Sequence, residues 1–172
     1  RADPETYPLL REVARAAFLC NDAELRETAE GWQLTGDPTE GALLTLALKA
    51  GLDPRQTREA LPRSDVIPFE SEHRFMATLN HDHDGRGFIY LKGAPERVIG
   101  MCSAQRSKSG ATQVLDTAYW HRMAHDITAK GQRVLAFATR PLPRRHKVLD
   151  VSDLDGKRVL IRRSAEGVVG IN

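Results

Sequence analysis

Residues 66–92 read VIPFESEHRFMATLNHDHDGRGFIYLK, and this stretch decides the fold class. It contains three short segments of strand composition, at residues 66–69, 75–80 and 87–92. The polar residues 81–86 between the last two segments are typical of a turn. The pattern therefore predicts antiparallel strands that follow one another as a β-meander.

Helix signals lie on both sides of this meander. Apolar residues recur at three- and four-residue spacing over residues 8–18, and Asp37-Pro38 and Asp53-Pro54 each combine an N-cap with a proline at the first helical position. Helices are predicted over residues 8–18, 38–50 and 54–61, from Pro95 onwards, and over 116–131. Strands are also predicted over residues 134–139, 159–163 and 168–171, with a flexible loop over 103–110 and a turn over 141–145.

The order of these elements indicates the architecture. Because strands come in consecutive runs and do not alternate regularly with helices, the class is α+β. We expect an antiparallel β-sheet of about six strands flanked by helices. With 172 residues, of which 41% are hydrophobic, the chain can bury a sizeable core, and we expect one domain over residues 1–172.

Composition limits the function classes. The net charge is +2, from 25 basic and 23 acidic residues, which argues against a nucleic-acid partner and leaves a small anionic ligand open. Cys20 and Cys102 are isolated, as is usual in a reducing compartment, and they form no zinc-binding or disulfide pattern. No run approaches the ~20 apolar residues that span a bilayer, so we expect no direct membrane contact by this chain. It begins with Arg1 and ends on a strand-like run, so we expect a piece of a larger protein.

Three segments combine a glycine or a proline with charged residues. They are residues 36–43 (GDPTEGAL), 69–76 (FESEHRFM) and 92–96 (KGAPE). On these segments the sequence closely resembles the nucleotide-binding (N) domain of type II P-type cation-transporting ATPases, which include the calcium and sodium/potassium pumps and their bacterial relatives. Residues 20–22, 131–136 and 167–170 continue the likeness in the family's order, so it covers essentially the whole chain. The resemblance favours a calcium-pump-like protein of bacterial origin.

The resemblance implies that nucleotide binding and phosphorylation take place on different domains. The N-domain holds the adenine of Mg-ATP and presents the γ-phosphate to an aspartate in a separate phosphorylation domain. The Asp-Lys-Thr-Gly motif around that aspartate is absent from this chain, as are Walker and kinase glycine loops. The parent would couple ATP hydrolysis to cation transport as an integral protein of the inner or plasma membrane, with this domain in the cytoplasm. Its partners would be ATP and the phosphorylation and actuator domains of the same polypeptide, and the chain would contain no catalytic residue.

Several residues have both a structural and a binding interpretation. Phe69 is either a core strand residue or, as the resemblance implies, the ring on which adenine stacks. Glu40 stands three residues after Asp37, where it can complete a capping box, whereas the family's matching glutamate faces the adenine amino group. Lys92 ends an apolar strand as a solvated lysine or, with Gly93, lines the adenine pocket.

The remaining predicted ATP contacts are Arg74, Met76, Arg133 and Leu135. Arg74 occupies the place of a phosphate-binding lysine in the family, and its guanidinium can bind phosphate oxygens bidentately. Met76 is either core or a soft apolar wall of the pocket. By resemblance Arg133 contacts the phosphate or ribose and Leu135 the adenine face, and the alternative for Arg133 is an ordinary solvated arginine.

Two other functions stay open on the sequence. The His81-Asp82-His83-Asp84 turn contains possible metal ligands, so a metal-binding regulatory module using His81 and His83 is an alternative, although a solvated loop suits the pattern better and no metal site is predicted. A free-standing phosphohydrolase is the third hypothesis, and it predicts ATP turnover by the isolated chain.

Overall fold

The computed structural model describes residues 8–107, 110–144, 146–154 and 159–162. The helices are α1 (Pro8–Leu19), α2 (Pro38–Lys49), α3 (Pro54–Ala60), α4 (Pro95–Gly100), α5 (Thr117–Thr128) and a 3-10 turn, Val151–Leu154. The strands are β1 (Glu24–Thr28), β2 (Gly31–Thr35), β3 (Arg63–Glu70), β4 (Phe75–His81), β5 (Gly87–Gly93), β6 (Cys102–Arg106), β7 (Thr112–Val114), β8 (Ala136–Leu142) and β9 (Val159–Arg162).

The main sheet is built on the predicted meander. Strands β3, β4, β5 and β8 lie side by side and are all antiparallel. Strand β9 pairs with β8 and continues into β6 and β7, which gives seven strands in the order β3-β4-β5-β8-β9-β6-β7. The α+β class and the helix-flanked antiparallel sheet are confirmed. The count of about six strands is corrected to a four-stranded antiparallel main sheet that β9, β6 and β7 extend to seven, with β6 and β9 parallel.

Each face of the main sheet carries its own hydrophobic cluster. One face packs against α1 and α2 through buried residues that include Met76, Tyr90 and Phe137. The opposite face packs against α4 and α5 through buried residues that include Phe75, Leu91 and Trp120. Since side chains alternate along a strand, residues of β4 and β5 face these two layers in turn.

The helix starts follow the predicted capping residues. Asp37 accepts hydrogen bonds from the backbone N–H groups of Thr39 and Glu40 at 2.8 and 3.2 Å. Asp53 accepts one from Gln56, and Asp116 one from Tyr119, at 2.8 and 2.9 Å. These contacts satisfy N–H groups that have no partner within the helix, and they fix the first turns of α2, α3 and α5.

Three segments differ from the sequence-based expectation. The β1–β2 hairpin was not predicted, and its residues in β2 are all exposed, so no alternation of apolar and polar residues marks it. Part of the predicted loop 103–110 belongs to β6, whose Gln105 is buried and accepts a hydrogen bond from the Trp120 indole at 2.8 Å. Strand β8 runs through Pro141, where a turn was predicted. The predicted strand over 168–171 lies outside the described residues.

Candidate functional site

The site is built on the α1/α2 face of the sheet, at the end of β5. The strand register pairs Met76 of β4 with Lys92 of β5, and Lys92 with Phe137 of β8. Met76 and Phe137 are buried, so the aliphatic stem of Lys92 lies between two apolar neighbours. Leu135 precedes β8 and packs against the same cluster. Three predicted site residues, Met76, Lys92 and Leu135, therefore lie on one face of the sheet, where Met76 is fully buried, as its core interpretation predicts.

The Lys92 ammonium is paired with Glu40 from the first turn of α2. Nζ donates to Oε1 of Glu40, and the two side chains are 7% and 16% exposed. Lys92 is therefore a buried lysine, and the solvated strand-end alternative is wrong. The pair joins the sheet to α2 across 52 residues of sequence.

Glu40 does not complete the predicted capping box. Its second oxygen, Oε2, accepts a hydrogen bond at 3.2 Å from the backbone N–H of Asp22, not of Asp37. Asp37 alone caps α2, while the Glu40 carboxylate turns toward Lys92 because a buried ammonium needs an anionic partner. The structural interpretation of Glu40 as the acid of a capping box is thus wrong.

Phe69 lies at a β-bulge on the edge strand β3. Ile67 pairs with Ala77 and Glu70 with Phe75, so Pro68 and Phe69 together lie opposite Met76. The Phe69 side chain is 57% exposed. The core-residue interpretation of Phe69 is therefore wrong, and its ring is accessible to a flat ligand.

Gly93 is required by the neighbouring backbone. A Cβ at this position would lie 2.5 Å from the carbonyl oxygen of Arg74 and 2.8 Å from the Cα of Phe75. Gly93 pairs with Phe75, and the next residue, Ala94, donates to the same Arg74 oxygen at 2.9 Å. The close approach of two strands explains the glycine without any ligand, so a contact between Gly93 and ATP stays a prediction.

Arg74 and Arg133 lie at different places around the site. Arg74 has a positive φ of 56°, and its Nη1 binds Oε1 of Glu96 at 2.7 Å, at the start of α4 on the opposite face of the sheet. The structure therefore does not bring Arg74 together with Lys92. Arg133 is exposed, and its Nη1 donates to the Thr39 hydroxyl at 2.8 Å, next to Glu40.

Comparison with known proteins decides the family. Residues 9–168 match the family described as the P-type ATPase cytoplasmic domain N. The chain belongs to this family. It is 39% identical over 148 residues to a cation-transporting ATPase of Synechocystis, which covers 86% of this chain and 16% of that protein.

Calcium-transporting relatives show the same partial match. The N domain is 35% identical to calcium-transporting ATPase 1 of Lactococcus lactis, over 89% of this chain and 17% of the relative. It is 36% identical to the human calcium-transporting ATPase type 2C member 1, over 78% of this chain and 14% of the relative. The chain thus spans less than a fifth of the length of these pumps. The described helices include none that is long and apolar enough to cross a membrane.

Sequence reasoning missed the loop that follows α1 in this N domain. Asn21 is buried, and its Nδ2 donates to the carbonyl oxygens of Ala17 and Glu40 at 3.1 and 3.0 Å. Its Oδ1 accepts from the N–H of Ala23 at 2.9 Å. The signal that could have identified this loop is an asparagine two residues after the helix, because asparagine side chains there often bind nearby backbone groups.

The His81 turn has a structural role in the N domain. Nδ1 of His81 lies 2.8 Å from the Ser64 hydroxyl, and Nε2 lies 2.7 Å from the carbonyl oxygen of His146. Asp82 accepts hydrogen bonds from Asp84 and Arg86, which close the turn. A metal ion at His81 would displace one of these contacts, and the described residues contain no cluster of three or more potential metal ligands. The observations therefore favour the solvated turn over the metal-binding module.

Cys20 gives a prediction on the pH dependence of thiol reactivity. Burial raises the pKa of the Cys20 thiol from 9.0 to about 12, although Lys92 and Arg63 oppose the shift. At pH 9 we expect alkylation of Cys20 to be about a hundredfold or more slower in the folded domain than in urea, because the thiolate is the reactive form. The unfolded chain loses this proton at lower pH than the folded one, so the thiol lowers the free energy of unfolding above about pH 9. Peptide mapping by mass spectrometry after timed alkylation separates Cys20 from Cys102, and equal rates in the two states would contradict this prediction.

Proposed function

We propose that this N domain binds ATP through its adenine at the site formed by Glu40, Phe69, Lys92 and Leu135, with the buried side chain of Met76 beneath it. The observation that carries the proposal is the buried Lys92–Glu40 pair together with the half-exposed ring of Phe69, since Lys92 and Phe69 lie on the two strands that flank Met76. Such a surface combines an apolar wall, an aromatic platform and an anionic acceptor, which is the usual character of a small-molecule site.

Each group suits one part of adenine. The Phe69 ring can stack on the base, and the partly buried Leu135 can provide apolar surface at the site, whereas Met76 is fully buried and supports the site from within the core. A Glu40 carboxylate oxygen can accept a hydrogen bond from the exocyclic amino group. The Lys92 ammonium is the cationic partner of the largely buried Glu40 carboxylate.

The phosphates would extend away from this surface. Arg133 is exposed next to Glu40 through its contact with Thr39, and we assign it to the ribose or phosphates. Arg74 can reach a phosphate only after its guanidinium leaves or shares Glu96, since that ion pair now directs it toward α4. We propose that the γ-phosphate of Mg-ATP projects to the phosphorylatable aspartate of a separate domain, which makes positioning the contribution of this chain to catalysis. The calcium-transporting relatives make calcium the favoured cargo of the parent pump.

A phenylalanine substitution tests the adenine site. Phe69→Ala should weaken ATP binding about 5- to 150-fold, since stacking of a base on an aromatic side chain contributes ~1–3 kcal/mol. The free energy of unfolding should change little because the ring is 57% exposed. Isothermal titration calorimetry with ATP measures the loss of affinity. The same titration with adenosine, which has no phosphates, shows whether the loss comes from the base.

Trp32 provides the matched control, since it is another exposed aromatic residue, with 61% of its surface accessible. Trp32→Ala should leave ATP affinity unchanged. Equal losses in the two variants, or unchanged binding in Phe69→Ala, would contradict the proposed site. ATP hydrolysis by the chain at a rate above background would instead favour the phosphohydrolase hypothesis.

A further inference from the structure

The peptide unit between Asn21 and Asp22 connects Arg63 with Glu40. At one end of this peptide, the carbonyl oxygen of Asn21 accepts a hydrogen bond from Nη2 of Arg63 at 2.6 Å. At the other end, the N–H of Asp22 donates to Oε2 of Glu40 at 3.2 Å. The same planar group is therefore bound on both sides, by a cation on its oxygen and by a carboxylate on its nitrogen.

Arg63 binds this loop with two nitrogens. Besides Nη2, its Nη1 binds Oδ1 of Asp22 at 2.6 Å, and the arginine side chain is 34% exposed. A guanidinium that holds a carbonyl and a carboxylate together fixes both the position and the orientation of the peptide. Its charge also polarises the peptide, which strengthens the N–H as a donor to Glu40.

The orientation of the Glu40 carboxylate depends on this contact. Oε1 is taken by the Lys92 ammonium, so the Asp22 N–H is the group that sets the rotation of the carboxylate about its last bond. The backbone of Glu40 is fixed separately, because its carbonyl oxygen accepts from the buried Asn21 side chain at 3.0 Å. Loss of Arg63 should therefore loosen the carboxylate while α2 stays in place.

We propose that Arg63 is a positioning residue for nucleobase selection, acting through the Asn21–Asp22 peptide on the Glu40 carboxylate. This inference rests on the proposed function, in which Glu40 accepts from the adenine amino group. A fixed carboxylate discriminates between a base that offers an amino group at position 6 and one that offers a carbonyl oxygen there, since the oxygen would repel it. Arg63 thus affects which base is bound and not how the phosphates are bound.

The test compares ATP with inosine triphosphate, which has a carbonyl oxygen in place of the 6-amino group. In Arg63→Met, the ratio of the two affinities should fall about fivefold, the effect of roughly one hydrogen bond. ATP affinity should account for most of the change. Arg63→Lys, which keeps the charge but binds less rigidly, should recover part of the ratio. Arg55→Met is the control, because Arg55 is 89% exposed and pairs only with Glu59 among the described residues.

The outcomes separate this inference from the proposed function. If the unaltered chain binds neither nucleotide, the proposed adenine site itself fails, and if it binds both equally, the proposed contact between Glu40 and the adenine amino group fails. If it prefers ATP and Arg63→Met keeps the full preference, the role of Arg63 is overturned. If Arg63 has a purely structural role, its loss should weaken the binding of both nucleotides alike. That result would also overturn the inference. If circular dichroism shows that Arg63→Met is unfolded, Arg63→Lys becomes the deciding variant. An unchanged ratio of ATP to inosine triphosphate affinity in Arg63→Lys would then overturn the inference.

Discussion

Gly93→Ala is expected to lower the free energy of unfolding of this N domain by about 3 kcal/mol, at the upper end of the range for an overfilled site. The new methyl group would lie 2.5 Å from the Arg74 carbonyl oxygen and 2.8 Å from the Cα of Phe75. Both are backbone atoms of the neighbouring strand and its turn, so a change of rotamer cannot relieve the contact. Urea unfolding followed by circular dichroism measures the loss.

Gly100→Ala is the control for that experiment. Gly100 ends α4, and a Cβ there would meet no atom of the described chain within 4 Å. We expect no loss, or a gain of a few tenths of a kcal/mol, because alanine restricts the unfolded chain more than glycine does. If the two variants are equally stable, the strand contact does not explain Gly93. A Gly93→Ala variant that is stable but binds ATP poorly would assign the glycine to the ligand instead.

Lys92→Met is expected to destabilise the domain by about 3 kcal/mol, because it leaves the largely buried Glu40 carboxylate without its cation. Glu40→Gln should destabilise for the same reason, with the Lys92 ammonium unpaired. The double variant should recover much of the loss, since a buried ion pair replaced by uncharged groups of similar size is often nearly neutral. A double-mutant cycle from urea unfolding gives the coupling between the two side chains.

The exposed Arg55–Glu59 pair is the reference for this cycle. Its side chains are 89% and 63% exposed, and pairs of this kind contribute about 0.3–0.5 kcal/mol. A coupling between Lys92 and Glu40 no larger than this reference would contradict the description of a buried pair. All three variants of the buried pair should also bind ATP more weakly, because each alters the carboxylate that we assign to the adenine amino group.

Local signals made much of the fold predictable. Asp37, Asp53 and Asp116 cap helices as their positions in the sequence suggest, since a cap depends on residues only two or three positions away. The strands of the meander were equally clear from their apolar composition, because both faces of β4 and β5 are buried. In the β1–β2 hairpin, by contrast, all residues of β2 are exposed, so no apolar pattern in the sequence indicates this strand.

Long-range contacts in the candidate site could not be predicted from the residues alone. On the residues alone, the capping box is the favoured role of Glu40 because its potential partner, Asp37, is close in sequence, whereas the resemblance implies an adenine contact. Lys92 is 52 residues away, and only the folded sheet brings it to α2. The bulge that exposes Phe69 depends on the register between β3 and β4, which the sequence does not encode locally. The family resemblance placed both residues in the site, but their contacts required the structure.

The position of β9 has a consequence for how the domain is made. This strand is the last described element of the chain, yet it lies between β8 and β6 inside the sheet. While a ribosome has produced the chain only as far as β8, the two parts of the sheet cannot yet join, and β8 and β6 each present an open edge. Open edges pair readily with strands of other molecules. Until residues 159–162 emerge, the edges of β8 and β6 are therefore open to pairing with other molecules.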